Sequence, residues 1–258
     1  MLLWRISLRT LSVVSYCKCI KIEYCSLMRA SVWRKCLCPS SPYPSLDLVL
    51  GPYDDQIQLD LARTFTNVKW FDSHHETLSG ILNTFSVVNE GFGYPQGLNY
   101  LAFPLYYVYF QDQPETAVED TFYSLQTLVR VVLPLYPLDA NDSSALETIC
   151  SVANMVTLQC YEADSKLSIL FSETHAPFIT SLVSSIMPTM YANVFSLYDT
   201  LLLWDEIIAH SCNDMFKKVL QIMVQAILFH KNMFLHMSVD KSMMLFQRTL
   251  AESVSVCL

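Results

Sequence analysis

The chain has 258 residues, of which 52% are hydrophobic and 16% charged, with a formal net charge of −8. That much apolar material excludes a disordered chain, because folding can bury enough surface to offset the ordering entropy. Five glycines are too few for the many turns of an all-β sandwich or barrel, and no G-x-G-x-x-G or G-x-x-x-x-G-K-[ST] occurs, which disfavours a Rossmann or P-loop fold.

The charge is unevenly spread. Residues 1–38 carry seven bases and one acid, a net of +6, while residues 39–258 carry nine bases and 23 acids, a net of −14. An acidic body repels phosphates, so nucleic acid is excluded as the main partner. The basic, apolar start has two readings: an interfacial or targeting segment with a peripheral membrane contact, or an extension packed on the domain. We take residues 1–25 as this extension and residues 26–258 as one domain.

Nine cysteines, five of them in the first 38 residues, form C-x-C rather than paired C-x-x-C spacings. They read as reduced, mostly buried thiols, and no metal site is expected. The histidines lack the i, i+4 pairing of a metal-binding helix, so they read as surface or core residues. The longest apolar runs, 100–110 and 219–229, are too short to span a bilayer and read as buried helices.

In chain order, residues 26–38 suit a short amphipathic helix ended by Pro39, followed by a Pro/Ser connection over 39–51. Residues 53–65 read as a helix with acids leading and Ile57 and Leu61 on one face. Residues 76–89 place Leu78, Ile81, Leu82 and Phe85 at a period near 3.6. After a break at Asn89 to Gly93, Pro95 is expected to open a helix that is apolar nearly all round and therefore central. Further helices are predicted over 116–133, 143–160, 178–187, 190–210, 213–230 and 239–253. No strand-like alternation with hairpin turns is present. The reading is an all-α domain of about ten helices.

Three short stretches carry chemistry. Ile57-Gln-Leu-Asp60-Leu-Ala-Arg63 resembles the I-x-x-D-x-x-R signature of TBC domains, the GTPase-activating domains for Rab-type small GTPases. Tyr94-Pro95-Gln96-Gly97-Leu98-Asn99 is similar to that family's Y-x-Q-G-M-N, and Leu203-Trp204-Asp205 to its later L-W-D. Upstream, Arg29-Ala-Ser-Val32-Trp33 resembles the opening R-x-x-V-W. The motifs fall in the family's order, and the resemblance covers about residues 26 to 235.

The resemblance implies a single multi-helical domain with two helical subdomains. It implies an activator that completes another protein's active site rather than an enzyme alone. Arg63 would be an arginine finger and Gln96 a glutamine finger that orients the attacking water. A guanidinium suits the first role because it is planar, always charged and able to fork onto two phosphoryl oxygens. An amide suits the second because it donates and accepts without titrating. Asp60 is expected to hold Arg63 or a neighbouring backbone group, Tyr94 to pack beside Gln96, and Gly97 to let a partner backbone approach.

Trp204 is read as core, with Asp205 capping or pairing nearby. The protein itself would need no cofactor, since GTP and Mg²⁺ belong to the GTPase. It would be a cytoplasmic monomer acting at membrane surfaces in vesicle transport. A non-catalytic scaffold that binds a small GTPase without stimulating hydrolysis is the alternative. There are departures from the family pattern. Ala62 stands where Pro is frequent, Leu98 replaces Met, and Met187-Pro188-Thr189-Met190-Tyr191 replaces a Trp-containing segment, which bears on packing of the C-terminal part.

Overall fold

The computed structural model describes residues 22–38, 40, 42–136, 143–209, 212–242, 244–246 and 249–250. Most of the basic start and Cys17, Cys19 and Cys257 lie outside them. Among the described residues the architecture is helical throughout, with no strand. The helices are α1 (Ile22–Leu37), α2 (Asp54–Leu61), α3 (His75–Val88), α4 (Leu98–Asp112) and α5 (Ala117–Val132), then α6 (Ser143–Ala163), α7 (Ala176–Ile186), α8 (Leu197–Ile208), α9 (Cys212–Phe229) and α10 (Lys231–His236). The boundary expected between residues 25 and 26 falls inside α1. None of these helices is long and apolar enough to cross a membrane.

α5 is the hub. Ala117, Phe122, Leu125, Leu128, Val129 and Val132 form its buried stripe at helical spacing. It packs on α4, α1 and α3 from the N-terminal half and on α9 from the C-terminal half. One continuous buried cluster therefore joins the two halves. α4 is apolar nearly all round, as its composition demands, and Leu98, Leu101, Ala102, Phe103 and Leu105 are fully enclosed.

The Pro/Ser connection is strapped down by side chains. The backbone N–H groups of Leu46, Val49 and Gly51 donate to Glu119, Thr84 and Asn83 at 3.0 Å each. These bonds replace the secondary-structure partners that the segment lacks.

Buried polar ties then join distant elements. The Arg34 Nε donates to Asp120 at 2.7 Å, and its Nη1 donates to Asp112 at 2.9 Å. Arg29 donates through Nε and Nη2 to the Asp205 carboxylate at 2.8–3.1 Å. Trp33 Nε1 donates to the same carboxylate at 3.0 Å, and the Trp33 and Trp204 rings lie 5.8 Å apart. The opening R-x-x-V-W and the later L-W-D thus meet as one clasp between α1 and α8. Trp204 is core and Asp205 pairs, as expected. Burial raises the Asp205 carboxyl above its ordinary value, and the Arg29 bonds oppose that shift.

Several sequence expectations shift. α2 stops at Leu61 rather than running to Phe65, because Arg63 and Thr64 tighten to i, i+3 bonds and Phe65 adopts a left-handed φ of 47°. α4 opens at Leu98 rather than at Pro95, since Gly97 has φ 99° and cannot continue a right-handed helix upstream. Residues 190–196 are a turn rather than the start of a helix. Met190 and Tyr191 are left-handed there, and the Met190 carbonyl accepts from Trp204 Nε1 at 3.0 Å instead of closing a helical bond. The Met187-to-Tyr191 segment is fully buried, so the departure from the family pattern is absorbed into the core. Residues 231–236 form a helix that the periodicity did not reveal. Cys38 and Cys160 are buried thiols, whereas Cys150 is exposed on α6.

Removing one partner of the α1–α8 clasp leaves a poorly hydrated charge behind. Arg29→Ala is expected to lower unfolding stability by about 3 kcal/mol, read from the urea midpoint at constant m. A change under about 0.5 kcal/mol would show that the clasp carries no weight.

Candidate functional site

α2 and the loop before α4 are brought together by side chains. The N-terminal end of α2 is anchored on α3, where Asp54 Oδ1 accepts from Asn83 Nδ2 at 2.8 Å, Ser79 Oγ at 3.1 Å and Gln58 Nε2 at 3.3 Å. The C-terminal end of α2 is tied to the loop. Tyr94 donates its hydroxyl to Asp60 Oδ2 at 3.1 Å, and Asn99 Nδ2 donates to Thr64 Oγ1 in a buried contact. The Phe65 ring packs against Phe71, Tyr100 and Phe103, which closes the turn after Arg63.

These ties place Arg63 and Gln96 on one cleft of about 390 Å³. Asp60, Thr64, Gly97 and Asn99 line it from the N-terminal half, and Ser184, Ser185, Thr189 and Asn193 line it from the C-terminal half. The Arg63 side chain is 70% exposed. Its stem is anchored by the bond from Nε to the Leu59 carbonyl at 2.9 Å, while Nη2 stands 4.0 Å from Asp60 Oδ1. At that distance and exposure the Asp60 contact is a weak ion pair. Gln96 is exposed, on a turn whose Leu98 N–H donates to the Pro95 carbonyl at 3.3 Å.

Asp60 takes the Tyr94 hydroxyl more firmly than it holds Arg63. Tyr94 is buried, and burial together with the Asp60 carboxylate raises its phenol pKa, so it remains a donor at any ordinary pH. Tyr94 is thereby tied to Asp60. Gly97 is buried, and a Cβ there would meet Thr189 Cγ2 at 3.0 Å. Its left-handed φ and this close approach explain the glycine from within the chain.

Thr64, Ser184, Ser185, Thr189 and Asn193 were not singled out from the sequence. Asn99 was read only as part of a motif. The C-terminal lining residues carry no local pattern, and only the fold brings them to the cleft. No group of His, Cys, Asp and Glu suited to a metal occurs among the described residues.

This fold matches a known class. The sequence profile of the Rab-GTPase-TBC domain matches residues 27–235, and the chain belongs to that family. Among solved structures the fold is similar to the crystal structure of the Ypt/Rab-GAP domain of Gyp1p. The TM-score is 0.58 at 15% identity, over 90% of this chain and 80% of that one. No curated protein sequence matches.

The Asp54 bonds lower its pKa below the ordinary 3.8, with Asn83 the largest cause. A depressed folded-state pKa means that the unfolded chain binds the proton more readily. The stabilisation is present above pH 3.8 and is lost as pH falls through the folded-state value. Asp54→Asn is therefore expected to flatten the loss of stability on acidification below pH 3.8, measured by denaturant unfolding across a pH series. An unchanged acid profile would contradict this.

Proposed function

We propose that this chain accelerates GTP hydrolysis on a Rab-type small GTPase by presenting Arg63 and Gln96 to the bound nucleotide. Small GTPases hold GTP and Mg²⁺ well and hydrolyse slowly, because no positive charge faces the γ-phosphoryl oxygens and the attacking water is poorly held. Phosphoryl transfer needs positioning and charge stabilisation more than covalent chemistry from the protein.

The observation that carries the reading is the shared exposure of Arg63 and Gln96 on one cleft, on backbone held by the Asp60–Tyr94 and Thr64–Asn99 bonds. In this reading the guanidinium swings from its Leu59 anchor onto the transferring phosphoryl group. Its planar fork then neutralises charge that grows in the transition state. The Gln96 amide accepts from the water and donates to the GTPase, which aligns the attack without a change in protonation. GTP and Mg²⁺ come with the partner. Family membership supports the choice of a Rab as that partner. Action as a cytoplasmic monomer at membrane surfaces, in vesicle transport, follows from the same choice and is part of the proposal.

Single-turnover GTP hydrolysis across a panel of Rab proteins is the test. Wild type is expected to stimulate at least one Rab strongly. Arg63→Ala is expected to lose about 10²-fold or more of the stimulated rate, and Gln96→Ala about 10²-fold. Unchanged stimulation in either variant would overturn the assigned roles. Binding without acceleration would replace the proposal with the scaffold alternative.

A further inference from the structure

The residue after Arg63 and the third residue after Gln96 are bonded to each other. Thr64 and Asn99 are each 2% exposed. The Thr64 hydroxyl has one proton and gives it to the Asp60 carbonyl at 2.6 Å. Its oxygen is then left to accept, so the amide N–H₂ of Asn99 is the group that must face it, which fixes the orientation of Asn99. Asn99 Oδ1 is consequently buried with no hydrogen-bond partner among the described residues, although Asn99 borders the cleft. An unmet buried acceptor costs stability, and an apolar pair of the same shape would avoid that cost.

We propose that Thr64 and Asn99 are positioning residues for Arg63, acting through their hydrogen bond, which fixes the arginine turn against the segment that carries Gln96. This inference rests on the proposed Rab-directed activity. Three observations support it. Arg63 and Thr64 are consecutive, so anchoring Thr64 anchors the arginine backbone. α4 is a rigid reference, since Leu98 and Leu101 beside Asn99 are fully buried. Phe65, next along, holds a left-handed φ of 47°, a strained conformation that the turn sheds unless something over-determines it. A finger displaced by about 1 Å loses much of its effect on rate.

The test is stimulated single-turnover hydrolysis on the most responsive Rab, with the concentration of this protein varied to separate kcat from KM. Thr64→Val keeps the shape and removes the hydroxyl. It is expected to lower kcat about tenfold with KM within about twofold, and Thr64→Ser is expected to restore kcat. In an Arg63→Ala background, Thr64→Val is expected to remove nothing further, because its effect runs through that guanidinium. A merely structural role would lower the active fraction equally in both backgrounds. Asn99→Ala, read the same way, cuts the bond from the other side should Thr64→Val not fold. An unchanged kcat, or equal losses in both backgrounds, overturns this inference while a crippled Arg63→Ala leaves the parent reading standing. A wild type that accelerates no Rab overturns both.

Discussion

A phenol, a carboxylate, a hydroxyl and an amide join two segments that lie 34 and 35 positions apart in sequence, through Asp60–Tyr94 and Thr64–Asn99. Those bonds tie the end of α2 and the turn after it to the loop before α4 and to the first turn of α4. Each bond is individually modest, on the order of 1 kcal/mol net. Together they act across a short turn whose far side is locked by the Phe65 ring, so little freedom is left to the backbone of Arg63. The guanidinium is exposed, while its root lies on the tied turn. That arrangement suits the proposed role of a group reaching a partner's nucleotide.

The opposite wall of the cleft depends on the clasp between α1 and α8. Arg29 and Trp33 seat Asp205, and the neighbouring Trp204 donates to the Met190 carbonyl. That bond pins the buried turn from Met187 to Phe195, with help from the Tyr191 hydroxyl on the Val219 carbonyl at 2.7 Å. Thr189 and Asn193 on this turn line the cleft, and Thr189 abuts Gly97. The L-W-D motif therefore contributes to the site without touching it.

Much of this was legible before the fold was known. The helical period of α3 and α5, the end of α1 near residue 38 and the order of the polar motifs could be read from residue types alone. The elements that were misread share a cause. Residues 190–196 carry apolar residues at helical spacing, but the Met190 carbonyl accepts from the Trp204 side chain 14 positions onward and the Tyr191 hydroxyl donates to the Val219 carbonyl 28 positions onward, which no local window contains. The start of α4 was misplaced by three residues because Pro95 is a good helix opener and Gly97 overrides it. The expected i, i+3 contact of Asp60 with Arg63 is present at 4.0 Å, and Asp60 has a second partner in Tyr94 that no helix-surface rule points to. Tyr94 reaches it only once the chain has folded back. The C-terminal lining residues, Ser184, Ser185 and Asn193, are ordinary helix and turn residues in sequence. Their meaning lies in placement alone.

The central claim is that two polar tips complete a transition state on another protein's nucleotide. Its most direct test is affinity for a Rab loaded with GDP and a planar metallofluoride, which mimics the transferring phosphoryl group, compared with the same Rab loaded with GDP alone. Complementarity to the transition state predicts binding at least about 10²-fold tighter to the metallofluoride form. That preference should vanish in a variant that lacks both Arg63 and Gln96. Equal affinity for the two nucleotide states in the wild type would contradict the account.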